Sequence, residues 1–241
     1  MRFVLYNIRY GTGRRRYLLP SSGYLRRTTD HMRKIIHFMQ RIKPDIIGLV
    51  EVDAGSYRMQ QRNQAELIAE SLHHHHSYRS KYGHGSVARW LPLFSKQGNA
   101  VISRHPITSQ RFHYLERGVK RLVMEMEVAG VTLFLVHLAL SFGARHQQLR
   151  SLASMVRRTH RPCLVAGDFN AMAGKEELAF FLACTGLSNA DDLGRPTFPS
   201  WDPRRHLDFI LHNRRIRVNR FEMPRIWLSD HLPLICDFEI T

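Results

Sequence analysis

The chain has 241 residues, of which 44% are hydrophobic and 23% charged, the length and balance of one globular domain, residues 1–241, with room for a layered core. No apolar run approaches the roughly 20 residues that cross a bilayer, so a transmembrane segment is not expected. Lys and Arg total 36 against 20 Asp and Glu, a formal net charge of +16, which concentrates polyanions around the protein: nucleic acid and anionic lipid surfaces both qualify, and plain solubility is the bland alternative.

Met1 to Asn7 reads as a buried strand, and it turns polar too soon for a secretory signal. Thr28, Thr29 or Asp30 can cap a helix whose apolar face is Met32, Ile35, Ile36, Met39 and Ile42, with Pro44 ending it. Asp45 to Val52 is a second buried strand, finishing at Glu51, and Ala65, Ile68, Ala69 and Leu72 mark a second helix. His73 to His76 follow it. Successive side chains on a helix fan around its axis, so these imidazoles read as a solvated segment and not as one metal site. Leu122, Met124, Met126 and Val128 alternate with Glu125 and Glu127 before Ala129-Gly130 turns into Val131 to Val136, a hairpin. Leu149, Leu152, Ala153 and Val156 mark a third helix, and the apolar run Cys163 to Ala166 a strand. Glu176 and Glu177 read as an ordinary acidic first turn. Leu207 to Leu211 and Leu234 to Ile240 are strands. Cys163, Cys184 and Cys236 are widely spaced among apolar residues, which suits buried thiols in a reducing compartment, the cytoplasm. Hairpins mixed with helix-separated strands argue for mixed sheets covered by helices, an α/β or α+β sandwich.

The strand ends carry the chemistry. Gly167-Asp168-Phe169-Asn170 sets a carboxylate and a carboxamide two residues apart where a buried strand yields to a loop. Taken alone it suits an Asx-turn. Asn7, Glu51, Asn99, His137, Asp208 and the Asp230-His231 pair stand at comparable places. Such a set is rich in hard oxygen donors and imidazoles. It suits Mg²⁺ or Mn²⁺, and with the basic surface it points to a phosphate-ester substrate.

Asn7, Asp45-Ile46-Ile47-Gly48-Leu49-Val50-Glu51, Gly98-Asn99-Ala100-Val101-Ile102-Ser103, Val136-His137-Leu138, Gly167-Asp168-Phe169-Asn170, Leu207-Asp208-Phe209-Ile210 and Ser229-Asp230-His231-Leu232-Pro233 occur in an order that resembles the endonuclease/exonuclease/phosphatase superfamily over nearly the whole length. The resemblance implies an α+β fold, a four-layer α/β/β/α sandwich with two mixed sheets face to face, and divalent-metal hydrolysis of phosphate esters. Carried over, it makes Glu51 the main metal ligand, with Asn7 beside it and Asp230 sharing the ion. Asp168 then activates the attacking water, Asn170 holds that water or the phosphate, Asn99 binds substrate, and His231, oriented by Asp208, contacts the phosphate. Val136-His137-Leu138 is more like the deoxyribonuclease, sphingomyelinase and inositol-phosphatase branches, where this imidazole meets the phosphate or the leaving oxygen; the glutamate that partners it in deoxyribonucleases is not identifiable in the sequence.

Two loops add to this. Arg14-Arg15-Arg16-Tyr17-Leu18-Leu19 and Tyr24-Leu25-Arg26-Arg27 interleave bases with aromatic and apolar residues, which can track a polynucleotide, sit on an anionic membrane, or pack back on the domain. Trp90-Leu91-Pro92-Leu93-Phe94 has the same ambiguity. The leading expectation is a Mg²⁺-dependent phosphodiesterase acting on nucleic acid, with a lipid or inositol phosphate as the alternative substrate. A non-catalytic scaffold is disfavoured, because every acid, amide and imidazole the chemistry needs is present.

Overall fold

The computed structural model describes residues 1–13, 28–81, 95–118 and 120–241. The first of these contribute β1 (Arg2–Asn7), α1 (Thr29–Ile42), β2 (Ile46–Asp53), α2 (Gln64–Leu72), β3 (His75–Ser80) and β4 (Gln97–Ser103). Four more strands follow: β5 (Ile107–Tyr114), β6 (Leu122–Val128), β7 (Val131–His137) and, after α3 (Phe142–Arg157), β8 (Cys163–Asp168). The remainder supplies α4 (Ala179–Thr185), β9 (Ser188–Asn189), β10 (Asp208–His212), β11 (Ile216–Glu222) and β12 (Leu234–Ile240).

The strands form two six-stranded sheets, in the orders β11-β12-β1-β2-β4-β3 and β5-β6-β7-β8-β10-β9. Each is mixed: β1 and β2 are parallel in the first, β7 and β8 in the second, and the other pairings are antiparallel. Side chains alternate across a strand, so a central strand with both faces covered is apolar along most of its length. β7 is buried at all seven positions and apolar at five, Val131 and Leu133 to Val136, with Thr132 and His137 as the polar exceptions. In β1, Phe3 and Leu5 join the core between the sheets while Val4 and Tyr6 face α1 and α2. A third cluster, including Phe134, Val136, Val165, Leu149 and Leu152, fills the space between the second sheet and α3 and α4. Three apolar interfaces therefore separate four layers, the expected α+β sandwich.

α1 buries Met32, Ile35 and Met39 at helical spacing and stops with Lys43 in the left-handed region just before Pro44. The edge strand β11 stays polar at Arg217, Asn219 and Arg220, which protects an open edge from pairing.

The histidine run is exposed at His73, His75 and His76, as expected, with His73 capping α2 and His75 and His76 opening the edge strand β3. One local expectation needs correction. Glu177 is not a solvated first-turn acid. Its side chain is buried and accepts from Arg145 Nε at 2.6 Å and from Ala173 N at 3.2 Å. A buried guanidinium from α3 had to be matched by a charge, and the distance of 32 positions hid the pair from a local reading.

Register brings the ends of particular strands to one rim. Asn7 lies opposite Val50, His137 opposite Asp168, and Asp208 opposite Asp168. The C-terminal ends of β1, β2, β7 and β8 thus meet the N-terminal ends of the antiparallel β4, β10 and β12. Gly167 makes the closest strand approach possible. Its φ is +151°, and a Cβ there would stand 1.9 Å from the Val136 carbonyl oxygen. Gly167→Ala is expected to cost about 2–3 kcal/mol and to lower the thermal midpoint by about 4–10 °C by circular dichroism. An unchanged midpoint would mean that β7 and β8 can separate cheaply.

Candidate active site

The rim gathers Asn7, Glu51, Asn99, His137, Asp168, Asn170, Asp208, Asp230 and His231. Asp168 is its hub. Its Oδ2 accepts from Asn7 Nδ2 at 3.2 Å, a bond that joins the two sheets, and its Oδ1 accepts from Asn170 N at 3.0 Å. The same Oδ2 lies 3.4 Å from His137 Nε2 and 4.0 Å from His231 Nε2. Burial, and next to it the charge of Asp208, raise the Asp168 carboxyl to about 6.

Asn170 adopts the left-handed conformation, and its Nδ2 donates to the Leu138 carbonyl at 2.8 Å, tying the loop after β8 to the loop after β7. Asp208 and His231 form a buried dyad, with His231 Nδ1 2.7 Å from Asp208 Oδ2. Thr197 Oγ1 donates to the same oxygen at 2.6 Å. Burial, the largest single influence, opposes charge on His231, but Asp208, Asp168 and Asp230 together outweigh it, so the imidazole is raised to about 10 and is held protonated.

Glu51 sits at an irregularity in the β2–β4 pairing with φ +57°, a conformation that re-aims its side chain out of the strand alternation. Its Oε1 is 3.4 Å from Lys120 Nζ and 3.9 Å from His137 Nε2. Burial works against its charge, yet Lys120, Lys81 and His231 prevail and keep its carboxyl below the usual range. His137 is pushed well below an ordinary histidine, first by burial and then by Lys120, Lys81 and His231, so it is neutral. Asp230 pairs with Arg9 Nε at 3.3 Å, and burial raises its carboxyl.

The donor set fits a hard divalent cation. Glu51, Asp168 and Asp230 crowd negative charge into a covered space together with the Asn7 carboxamide. Separately, buried His137 Nε2 and Asn99 Nδ2 have no hydrogen-bond partner among the described residues. Asp168, Asp208 and His231 also come within 4.8 Å of one another, the one acid and imidazole cluster of metal-ligating size among the described residues. Their chemistry argues against an ion between them: a protonated imidazole has no lone pair to give, and the facing Asp208 oxygen already takes two hydrogen bonds. The oxygens around Glu51 are the better cradle.

Asn99 lies at the start of β4, not at its end, and Asp208 likewise opens β10; antiparallel pairing brings both to the rim. Arg14, Arg15 and Arg16, the loop through Arg27, and Trp90 to Phe94 lie outside the described residues. Sequence reasoning missed Lys120, Lys81 and Arg9. Lys81 donates to the Tyr10 hydroxyl at 2.9 Å, and burial lowers its ammonium to about 8. Among 36 Lys and Arg, nothing local marks these three.

No curated protein shows significant sequence similarity to the chain. Solved structures share its fold. A family protein from Leptotrichia buccalis C-1013-b superposes with TM-score 0.72 at 17% identity, each chain covered completely. A mannosyl-6-phosphatase from Bacteroides thetaiotaomicron gives 0.73 at 16%, again with complete coverage of both. The human Nocturnin catalytic domain with bound sulfate gives 0.68 at 20%, covering 100% of this chain and 93% of the other. At these identities the likeness concerns the fold. The sequence model of the endonuclease/exonuclease/phosphatase family matches residues 4–231, nearly the whole length, and with the sandwich and its rim in place the chain belongs to that family of phosphoesterase hydrolases.

Proposed function

We propose that the protein is a Mg²⁺- or Mn²⁺-dependent phosphodiesterase acting on nucleic acid in the cytoplasm. One observation carries the hydrolytic part: an Asp168 carboxylate tuned to about 6 and an Asp208-paired imidazolium, His231, open onto the same space, with 4.0 Å between their nearest atoms. A base and a cation so placed suit attack of water on a phosphate.

Glu51, Asn7 and Asp230 would hold the cation, which when bound neutralises phosphate charge and lowers the pKa of water. Asp168 accepts the proton of the attacking water. Asn170, oriented by Leu138, fixes that water or the phosphate. His231 stabilises charge developing on the non-bridging oxygens, and the unpartnered nitrogens of Asn99 and His137 face the phosphate. Nucleic acid is favoured by the net charge of +16, and free thiols at Cys163, Cys184 and Cys236 suit the reducing cytoplasm.

A lipid or inositol phosphate is the second reading, for a specific reason. Leu140 and, at the start of α3, Phe142 after His137, Met172 after Asn170, and Trp227 before Asp230 are exposed close in sequence to these rim residues. The expected result is Mg²⁺-dependent hydrolysis of bis-p-nitrophenyl phosphate that EDTA abolishes and added Mg²⁺ restores, with plasmid nicking outrunning release of phosphorylcholine or inositol phosphate. Release of the soluble headgroups without nicking would transfer the assignment to lipid. No helix among the described residues is long and apolar enough to cross a membrane.

A further inference from the structure

We propose that the Lys120 ammonium binds a non-bridging oxygen of the substrate phosphate, and that Gln148 of α3 is the residue that positions it. The inference rests on the phosphoesterase reading above.

An ammonium carries three donors. Among the described residues Lys120 Nζ has one acceptor, Glu51 Oε1 at 3.4 Å, a long contact, although its side chain is only 19% exposed. Two N–H groups of this largely covered ammonium therefore have no acceptor among the described residues. Glu51 is also the carboxylate that a divalent cation would claim. With a cation on Glu51, Lys120 would keep only a weakened partner and would stand close to a like charge. A phosphate oxygen accepting from the ammonium would relieve both penalties. The charge of Lys120 is felt at Glu51, His137 and Asp168 alike, so it faces the reaction space rather than bulk solvent.

The ammonium is placed by a bond pattern that uses the Gln148 side chain fully. Gln148 is buried; its Oε1 accepts from Ala139 N at 2.8 Å, and its Nε2 donates to the carbonyls of Arg117 at 2.5 Å and Lys120 at 2.8 Å. One amide thus hooks the backbone that bears Lys120 to the segment that follows His137. Gly118 lets the loop come this close: its φ is +92°, and a Cβ there would stand 2.9 Å from Ala139 Cβ and 3.0 Å from Gln148 Nε2.

Titration calorimetry with inorganic phosphate in Mg²⁺, alongside Mg²⁺ titration without phosphate, tests this. Lys120→Met should lose about 10- to 100-fold in phosphate affinity, the range for a hydrogen bond between charged groups. It should also raise KM for bis-p-nitrophenyl phosphate and leave Mg²⁺ affinity equal or tighter; Lys120→Arg should recover most of the phosphate affinity. Gln148→Glu keeps the shape and the acceptor for Ala139 N but loses both donated bonds. It should shift phosphate affinity in the same direction, by less, with Mg²⁺ affinity unmoved. Phosphate affinity in Lys120→Met equal to wild type, with the wild type active, overturns this inference alone. A wild type that neither binds phosphate nor hydrolyses the diester in Mg²⁺ overturns it together with the phosphoesterase reading.

Discussion

Asp168→Asn should reduce hydrolysis of bis-p-nitrophenyl phosphate by about 10³-fold, within the 10²–10⁴ that a positioned general base contributes. The substitution preserves shape and retains an oxygen for the Asn170 N–H, but an amide cannot take a proton from water. Its effect on stability should have the opposite sign or be small. The Asp168 carboxyl is raised to about 6 by burial and by Asp208, so in the metal-free protein the folded state binds a proton that the unfolded chain has released. Stability from this group is present below the unfolded value near 3.8 and falls as pH rises through about 6. In EDTA at pH 8 the variant should therefore unfold at no lower a temperature than wild type. The new amide meets Asn7 Nδ2, and that lost bond limits the gain. Thermal unfolding and initial rates on the same preparations check both halves. Activity within tenfold of wild type would remove Asp168 as the base.

Asp208→Asn should cost about 10²-fold in kcat/KM, the scale of one electrostatic stabiliser, and should change the pH profile in a particular way. His231 must be protonated to act, so activity is present below its pKa and lost above it. With the Asp208 charge gone, burial is opposed by less, and the alkaline limb should move down toward an ordinary imidazole. The linked stability follows. In wild type the raised His231 contributes in full below its unfolded value near 6.5, and the contribution disappears as pH rises through about 10. The variant should lose that dependence. Proton–nitrogen NMR of the His231 ring in the metal-free protein reads the pKa directly. An alkaline limb at the same pH in both proteins would separate Asp208 from the imidazole's charge.

A sulfate-bound relative and a sugar phosphatase with the same sandwich show how little the scaffold says about the ester. The strongly basic surface and the lysines beside Glu51 are properties of this chain. The substrate question therefore turns on residues such as Lys120 and on the loops of the rim rather than on the Asp168–His231 pair.

How much was legible beforehand can be read element by element. The Met32, Ile35 and Met39 stripe, the β6–β7 hairpin and the apolar run into Asp168 were plain, because each buries a periodic face and periodicity survives in one dimension. The edge strands β3, β5 and β11 were not, because histidine, arginine and asparagine on an open edge leave no alternation to detect. The acids, amides and imidazoles of the site were recognisable from strand-end positions and from the order of their motifs. Their convergence was an expectation that register then realised, Asp208 and His137 both meeting Asp168.

By itself the sequence determined the family, the four layers and the residue types that face the rim, since those follow from local pattern and motif order. Only the tertiary structure decided which of the remaining charges touch: that Arg145 answers Glu177, and that Lys120 reaches Glu51 across 69 positions. Coulomb energy depends on separation in space, and in a chain with 36 basic residues sequence distance carries almost no information about which ones come within 4 Å of a carboxylate.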